Sequence, residues 1–156
     1  MRLRDFDASD ASDVHDLIAA TIDACYPAHY PPRAVEFFKG FHSLDAISRR
    51  ADAGMLLVVE HGDGIVATGA LVDGEISGVF VLPDAQSAGI GSAVMDELER
   101  TALSSGLSSV ELDVSLPSRG FYERRGYRVI ESRSIDVGEG EVLDYWRAVK
   151  RLAGES

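Results

Sequence analysis

The chain has 156 residues, of which 46% are hydrophobic, and this composition supports one globular domain with an ordinary core rather than a disordered chain. Its 26 acidic and 15 basic residues give a formal net charge of −11, which argues against binding to the phosphate backbone of nucleic acids. The first residues do not resemble a signal peptide, and no stretch approaches the about 18 apolar residues of a membrane span, so we predict a cytoplasmic protein without a membrane partner.

The spacing of the apolar residues predicts, in chain order, one strand, three helices, three strands, a long helix, a strand, a short helix and a closing antiparallel pair. The helices are predicted at 10–26, 33–41, 43–54, 89–105 and 118–126. The strands are predicted at 2–6, 55–61, 65–72, 75–82, 109–114, 127–137 and 141–150.

This order predicts an α/β (mixed α+β) single domain over residues 1–150, with a central, mostly antiparallel mixed sheet and helices on both faces. A right-handed crossover through the long helix would join two parallel strands within 79–114. Residues 151–156 are predicted to be a short C-terminal tail. The single cysteine, Cys25, excludes an intrachain disulfide, and the spacing of the four histidines is not that of a zinc site, so no metal is predicted.

A loop of small residues, QSAGIG, lies between an apolar strand and the long helix. Gly89 and Gly91 have no Cβ atom, so a ligand can approach the backbone closely. The first amides of a helix lack intrahelical partners and favour anions, and the segment therefore predicts a phosphate cradle. The segment is neither G-x-G-x-x-G nor a P-loop, and on its own it is equally compatible with a simple turn.

A second motif, FYERRGY, follows the next strand. Together the two motifs resemble those of the GNAT superfamily of acyl-CoA-dependent N-acetyltransferases, over roughly residues 55–130. The family's V-x-P segment and [QR]-x-x-G-x-[GA] loop correspond here to Val81, Pro83, Gln86, Gly89 and Gly91. Its F-Y-E-x-x-G-[FY] segment corresponds to Phe121, Tyr122, Glu123, Gly126 and Tyr127.

The resemblance implies a GNAT-like fold and acetyl-CoA as the acyl donor. The pyrophosphate would be held by the amides of the loop residues Gln86, Ser87, Ala88, Gly89, Ile90, Gly91 and Ser92. The pantetheine arm would pair with the backbone of Val79, Phe80 and Val81, as an added strand would, and the thioester would lie where this strand and the next splay apart.

The resemblance also implies the reacting groups. Tyr122 is the candidate proton donor to the leaving thiolate, and its alternative role is that of an aromatic core residue. Glu75, at the start of the central strand, is the candidate general base, or else a solvated residue at the strand end. Ser115 is a candidate for lining the cofactor cleft, although a serine near a proline is also typical of a turn.

The acceptor is predicted to be a primary amine of a small molecule or peptide, attacked directly in a ternary complex. In this family the first helices often cover the acceptor, so Tyr26, His29 and Tyr30 are predicted to line its site, with Glu36 nearby. The net charge favours a cationic acceptor. The alternatives are a non-catalytic acyl-CoA-binding module and a general phosphate or nucleotide binder. A homodimer through the closing strands is a further expectation.

Overall fold

Seven strands form one sheet at the centre of the computed structural model, which describes residues 1–152. The strands are β1 (Arg2–Asp5), β2 (Met55–His61), β3 (Gly64–Val72), β4 (Glu75–Val81), β5 (Ser109–Val114), β6 (Arg128–Gly138) and β7 (Glu141–Arg151). They lie in the order β1-β2-β3-β4-β5-β7-β6, and only the β4–β5 pair is parallel. Of the predicted tail, residues 153–156 lie outside the described part of the chain.

Five α-helices connect these strands within residues 1–152. They are α1 (Ala11–Cys25), α2 (Pro32–Phe41), α3 (Leu44–Ala53), α4 (Ile90–Ser104) and α5 (Arg119–Arg124). Pro32 begins α2, where its missing N–H costs nothing. The Ser43 hydroxyl accepts the Ala46 N–H at 3.2 Å and so caps α3. Among residues 1–152, no helix is both long and apolar enough to cross a membrane.

The alternation of side chains along the strands divides the core between the two faces of the sheet. Leu57 and Val59 pack with α4 on one face, whereas Leu56 and Val58 pack with the first helices on the other. Each fully buried aliphatic side chain contributes about 1.5–3 kcal/mol relative to its exposed state. The prediction of one mixed, mostly antiparallel sheet with helices on both faces is therefore confirmed.

Candidate active site

The ladder between β4 and β5 ends after two residue pairs. Glu75 pairs with Glu111 and Ile76 with Leu112, and no further pair joins the two strands. The opposite edge of β4 remains paired with β3 as far as Val81, past an irregularity in the register. The backbone of Ser77–Val81 that faces β5 is therefore without a strand partner in residues 1–152, although buried backbone groups need one.

The loop at the end of β4 presents an open backbone. Gly89 precedes α4 in the left-handed region (φ +80°), and no side chain among the described residues caps the first turn of the helix. A Cβ at Gly89 would have no atom of residues 1–152 within 4 Å, and one at Gly91 would lie 3.4 Å from the Phe121 ring. The Gln86 amide donates to the carbonyl oxygen of Val81 at 2.9 Å and ties the loop to the strand. These features suit the close approach of a phosphate group.

A cavity of about 440 Å³ adjoins the open part of the sheet. Aromatic side chains of the first helices form one wall, and residues of β4, the end of β5 and the closing strands form the other. The lining residues are Tyr26, Phe37, Phe38, Phe41, His42, Arg50, Glu75, Ile76, Ser77, Gly78, Val79, Phe80, Asp113, Ser115, Ser118, Tyr122, Ile135, Leu143 and Tyr145. This volume accommodates a small organic molecule.

Tyr122 lies on α5 and is only 7% exposed. Its ring packs edge-on against Phe121 and Tyr127, with centroid distances of 5.1 and 5.6 Å. Burial raises the pKa of the Tyr122 phenol well above its usual value, so the hydroxyl is protonated at neutral pH. Its position on the cavity wall gives a protonated group next to the gap between β4 and β5.

Glu75 lies at the start of β4, where both of its carboxylate oxygens accept hydrogen bonds from Arg147. The same guanidinium contacts Glu111 at 3.1 Å and Asp113 at 2.9 Å. The hydrogen bonds to Glu75 and Asp113 raise the pKa of Arg147. Three carboxylates around one guanidinium leave a negative local charge, which attracts a cationic group.

The structure places the three predicted acceptor residues in different surroundings. Tyr26 lines the cavity and donates to the Ser115 hydroxyl at 3.2 Å, and burial raises the pKa of Tyr26 to about 12. The Tyr30 hydroxyl donates to the Asp144 carbonyl at 2.7 Å and accepts the Leu116 N–H at 2.9 Å. Tyr30 therefore fixes the segment after β5, and His29 lies exposed on the turn before α2, apart from the cavity lining.

Sequence reasoning missed three polar residues of this region, namely His42, Arg50 and Arg147. His42 follows α2 and Arg50 lies on α3, and both line the cavity. Neither residue belongs to a motif, so no sequence signal distinguishes them from surface residues. The position of Arg147 opposite Asp113 follows from the β5–β7 register, which could have been proposed only once the two strands were known to pair.

Known proteins resemble this chain in both sequence and structure. A family model described as an acetyltransferase (GNAT) domain matches residues 26–138. A relative described as the uncharacterized N-acetyltransferase YjcF of Bacillus subtilis is 35% identical over 66 residues, which are 42% of this chain and 47% of that protein. The chain thus aligns with about half the length of this relative.

Two solved structures share the fold over nearly the whole chain. A GCN5-related N-acetyltransferase from Rhodopseudomonas palustris superposes with a TM-score of 0.87 at 21% identity and covers 96% of this chain and 94% of its own. The PaiA N-acetyltransferase from Thermoplasma acidophilum, solved in complex with coenzyme A, superposes with a TM-score of 0.76 at 14% identity. The superposition covers 96% of this chain and 98% of the PaiA chain.

Proposed function

Because the chain belongs to the GNAT acetyltransferase family, we propose that it transfers an acetyl group from acetyl-CoA to a primary amine, by direct attack of the amine in a ternary complex. The observation that carries this proposal is the gap between β4 and β5, which has the glycine loop at one end and the cavity at the other. The acceptor would be a small molecule or the amine of a peptide.

The described residues fit acetyl-CoA. The amides of Gln86–Ser92 would bind the pyrophosphate, since Gly89 leaves the start of α4 open and Gly91 adds no side chain there. The free edge of Val79–Val81 would bind the pantetheine arm by backbone hydrogen bonds, beside Ser115 on the opposite wall. Bound acetyl-CoA supplies an activated thioester, whose carbonyl carbon accepts the amine as the carbon–sulfur bond breaks.

Two proton transfers in this reaction are assigned to residues of the chain, one from the ammonium before it attacks and one to the leaving sulfur; the nitrogen loses its further proton to solvent as the amide forms. Tyr122 would donate the proton to the leaving sulfur, because its buried phenol is protonated at neutral pH and lines the cavity. Removing the proton from an alkyl ammonium costs about 4–5 kcal/mol at pH 7. Glu75 would take that proton, and the negative charge of Glu75, Glu111 and Asp113 around Arg147 would draw the ammonium towards it.

Parallel calorimetric titrations with acetyl-CoA, CoA and ADP test the proposal, followed by a screen of primary amines for release of free thiol. We expect acetyl-CoA and CoA to bind at least about tenfold more tightly than ADP, because only they reach the free edge of β4. We also expect free thiol to be released from acetyl-CoA only when a suitable primary amine is present. Equal affinity for ADP and acetyl-CoA would indicate a nucleotide binder. Binding of acetyl-CoA without turnover of any amine would indicate a non-catalytic acyl-CoA-binding module.

Replacing Glu75 by glutamine tests the assignment of the base. We expect kcat at pH 7 to fall by about 10- to 100-fold, because the amine must then lose its proton to solvent. The remaining rate would follow the fraction of free amine and keep rising with pH towards the amine pKa of about 10.4. Steady-state rates between pH 6 and about pH 10 measure both effects.

The control for this experiment is Glu111→Gln, which removes a carboxylate from the same Arg147 guanidinium outside the cavity lining. We expect a much smaller loss of rate and an unchanged pH profile. Similar profiles for the two variants would mean that Glu75 acts only through the charge around Arg147, and the base assignment would be wrong.

A further inference from the structure

Arg50 is distinguished from the other half-buried arginines by its surroundings. Arg4, Arg119, Arg125 and Arg147 each contact a carboxylate. Within residues 1–152, Arg50 has no carboxylate within 4 Å, and its one hydrogen bond is a donation to the Phe41 carbonyl at 3.2 Å. In a chain with 26 acidic residues, a guanidinium that lines a cavity and has no acidic partner points to an anionic ligand.

His42 provides an independent observation beside Arg50. Its side chain is buried, with 7% exposed, and Nδ1 has no hydrogen-bond partner among residues 1–152. Burial, and then the charge of Arg50, lowers the pKa of His42 to about 3, so the ring is neutral at pH 7. A buried polar atom without a partner is costly, and a ligand in the cavity would supply the missing hydrogen bond.

Both groups converge on Gly78 of β4. A Cβ built at Gly78 would lie 3.0 Å from Arg50 Nη1 and 4.0 Å from His42 Nδ1. The backbone of Gly78 has a φ of +63°, where glycine is favoured, and any side chain there would displace the guanidinium. Gly78 directly precedes Val79, at which the free edge proposed for the pantetheine arm begins.

We propose that Arg50 and His42 bind the carboxylate of an amino acid, and that the acceptors of this enzyme are α-amino acids with apolar side chains. The inference rests on the proposed function, which puts the pyrophosphate at the far end of β4 and hence the thioester towards Gly78. Neighbouring Cα atoms are about 3.8 Å apart, so an anion held at Gly78 would lie beside the end of the free edge, where the thioester is proposed to lie. An acceptor that carries its amine and its carboxylate on the same or adjacent carbons would fit this placement.

Charge and polarity in the cavity agree with a zwitterion that has an apolar side chain. The carboxylates around Arg147 are suited to an ammonium group, and Arg50 is suited to a carboxylate. Phe37 and Phe41 line the cavity and are still 40% and 55% exposed, so they offer an apolar surface that a side chain of the acceptor can cover.

The test compares amino acids with the amines that remain when their carboxylate is removed. The pairs are L-phenylalanine with phenethylamine and L-leucine with isopentylamine, each assayed for thiol release with acetyl-CoA and for binding by calorimetry in the presence of CoA. We expect the KM of the amino acid to be at least about tenfold lower than that of its amine partner. A difference of this size corresponds to one charge-assisted contact.

Arg50→Gln should raise the KM for the amino acids by about 10- to 100-fold and leave that for the amines unchanged. Arg50→Lys should restore part of the difference, because a lysine keeps the charge but not the paired donors. The matched control is Arg49→Gln, the same change at the neighbouring exposed position, where Arg49 pairs with Asp45. This control should behave as the parent, and melting curves of all variants check the fold.

The outcomes separate the two proposals. If the amines are acetylated as well as the amino acids and Arg50→Gln changes neither, the acetyltransferase function stands and the carboxylate site is refuted. An equal loss for amines and amino acids in Arg50→Gln would mean that Arg50 only supports the fold, which also refutes the site. If acetyl-CoA does not bind at all, the proposed function fails, and the carboxylate site fails with it unless L-phenylalanine binds in an Arg50-dependent way.

Discussion

Replacing Tyr122 by phenylalanine is expected to lower kcat by about 100-fold while the Kd for acetyl-CoA changes little. The phenol is protonated at neutral pH and lines the cavity, so its loss would deprive the leaving sulfur of the proposed proton donor. None of the hydrogen bonds found in residues 1–152 uses this hydroxyl, and the melting temperature should therefore stay near that of the parent. Single-turnover rates and calorimetry separate the chemical step from binding.

Tyr127→Phe is the matched control, since it removes a phenolic hydroxyl from a buried ring that contacts Tyr122. The Tyr127 hydroxyl donates to Glu99 at 2.7 Å, away from the cavity lining, so this change should reduce stability and leave the chemical step intact. If Tyr122→Phe retains kcat to within about threefold of the parent, the proton comes from solvent or another residue and the assignment of Tyr122 is wrong.

Gly89→Ala should weaken the binding of acetyl-CoA by at least about tenfold. Gly89 has a φ of +80° immediately before α4, and the space around it is open. An added methyl group would project into the path of the phosphates and would disfavour the conformation that presents the first amides of the helix. Calorimetric Kd values for acetyl-CoA and CoA measure the effect.

The chain offers a closely matched control in Gly140, which lies in the turn between β6 and β7. Its φ is +75°, and a Cβ there would also meet nothing within 4 Å. Both alanine variants carry similar strain of roughly 1–2 kcal/mol and should melt several degrees lower. Only the Gly89→Ala variant should lose affinity for acetyl-CoA. If the two variants bind acetyl-CoA equally well, the loop is a turn and not a phosphate site.

Much of the architecture could be predicted because it follows from local patterns. The β-rich apolar runs of β2 and β3, the turn residues between them and the apolar stripe of α4 are local features of the chain, and the elements lie within a few residues of their predicted limits. The loop from Gln86 to Ser92 was recognisable for the same reason, since strand, glycines and helix are contiguous in the chain.

The cavity could not be predicted in the same way, because distant segments form it. Tyr26 and His42 reach it only through the way the first helices pack on the sheet, and Tyr145 through the pairing of the closing strands. His29 and Tyr30 were predicted at the acceptor site together with Tyr26, because the first helices and the loop between them often cover the acceptor in the family that the motifs resemble. In the fold, Tyr30 bonds to backbone beyond β5 and His29 lies in solvent.

The short ladder between β4 and β5 also affects the thermodynamics of the whole molecule. Two residue pairs and the packed helices join the β1–β4 half of the sheet to the half formed by β5, β7 and β6. A ligand that bonds to the free edge of β4 binds only the folded chain, so its binding energy adds to the free energy of unfolding. At 100 times its Kd this gain is about 2.7 kcal/mol. The folded population, and with it the resistance of the chain to proteolysis, would then follow the supply of the acyl donor.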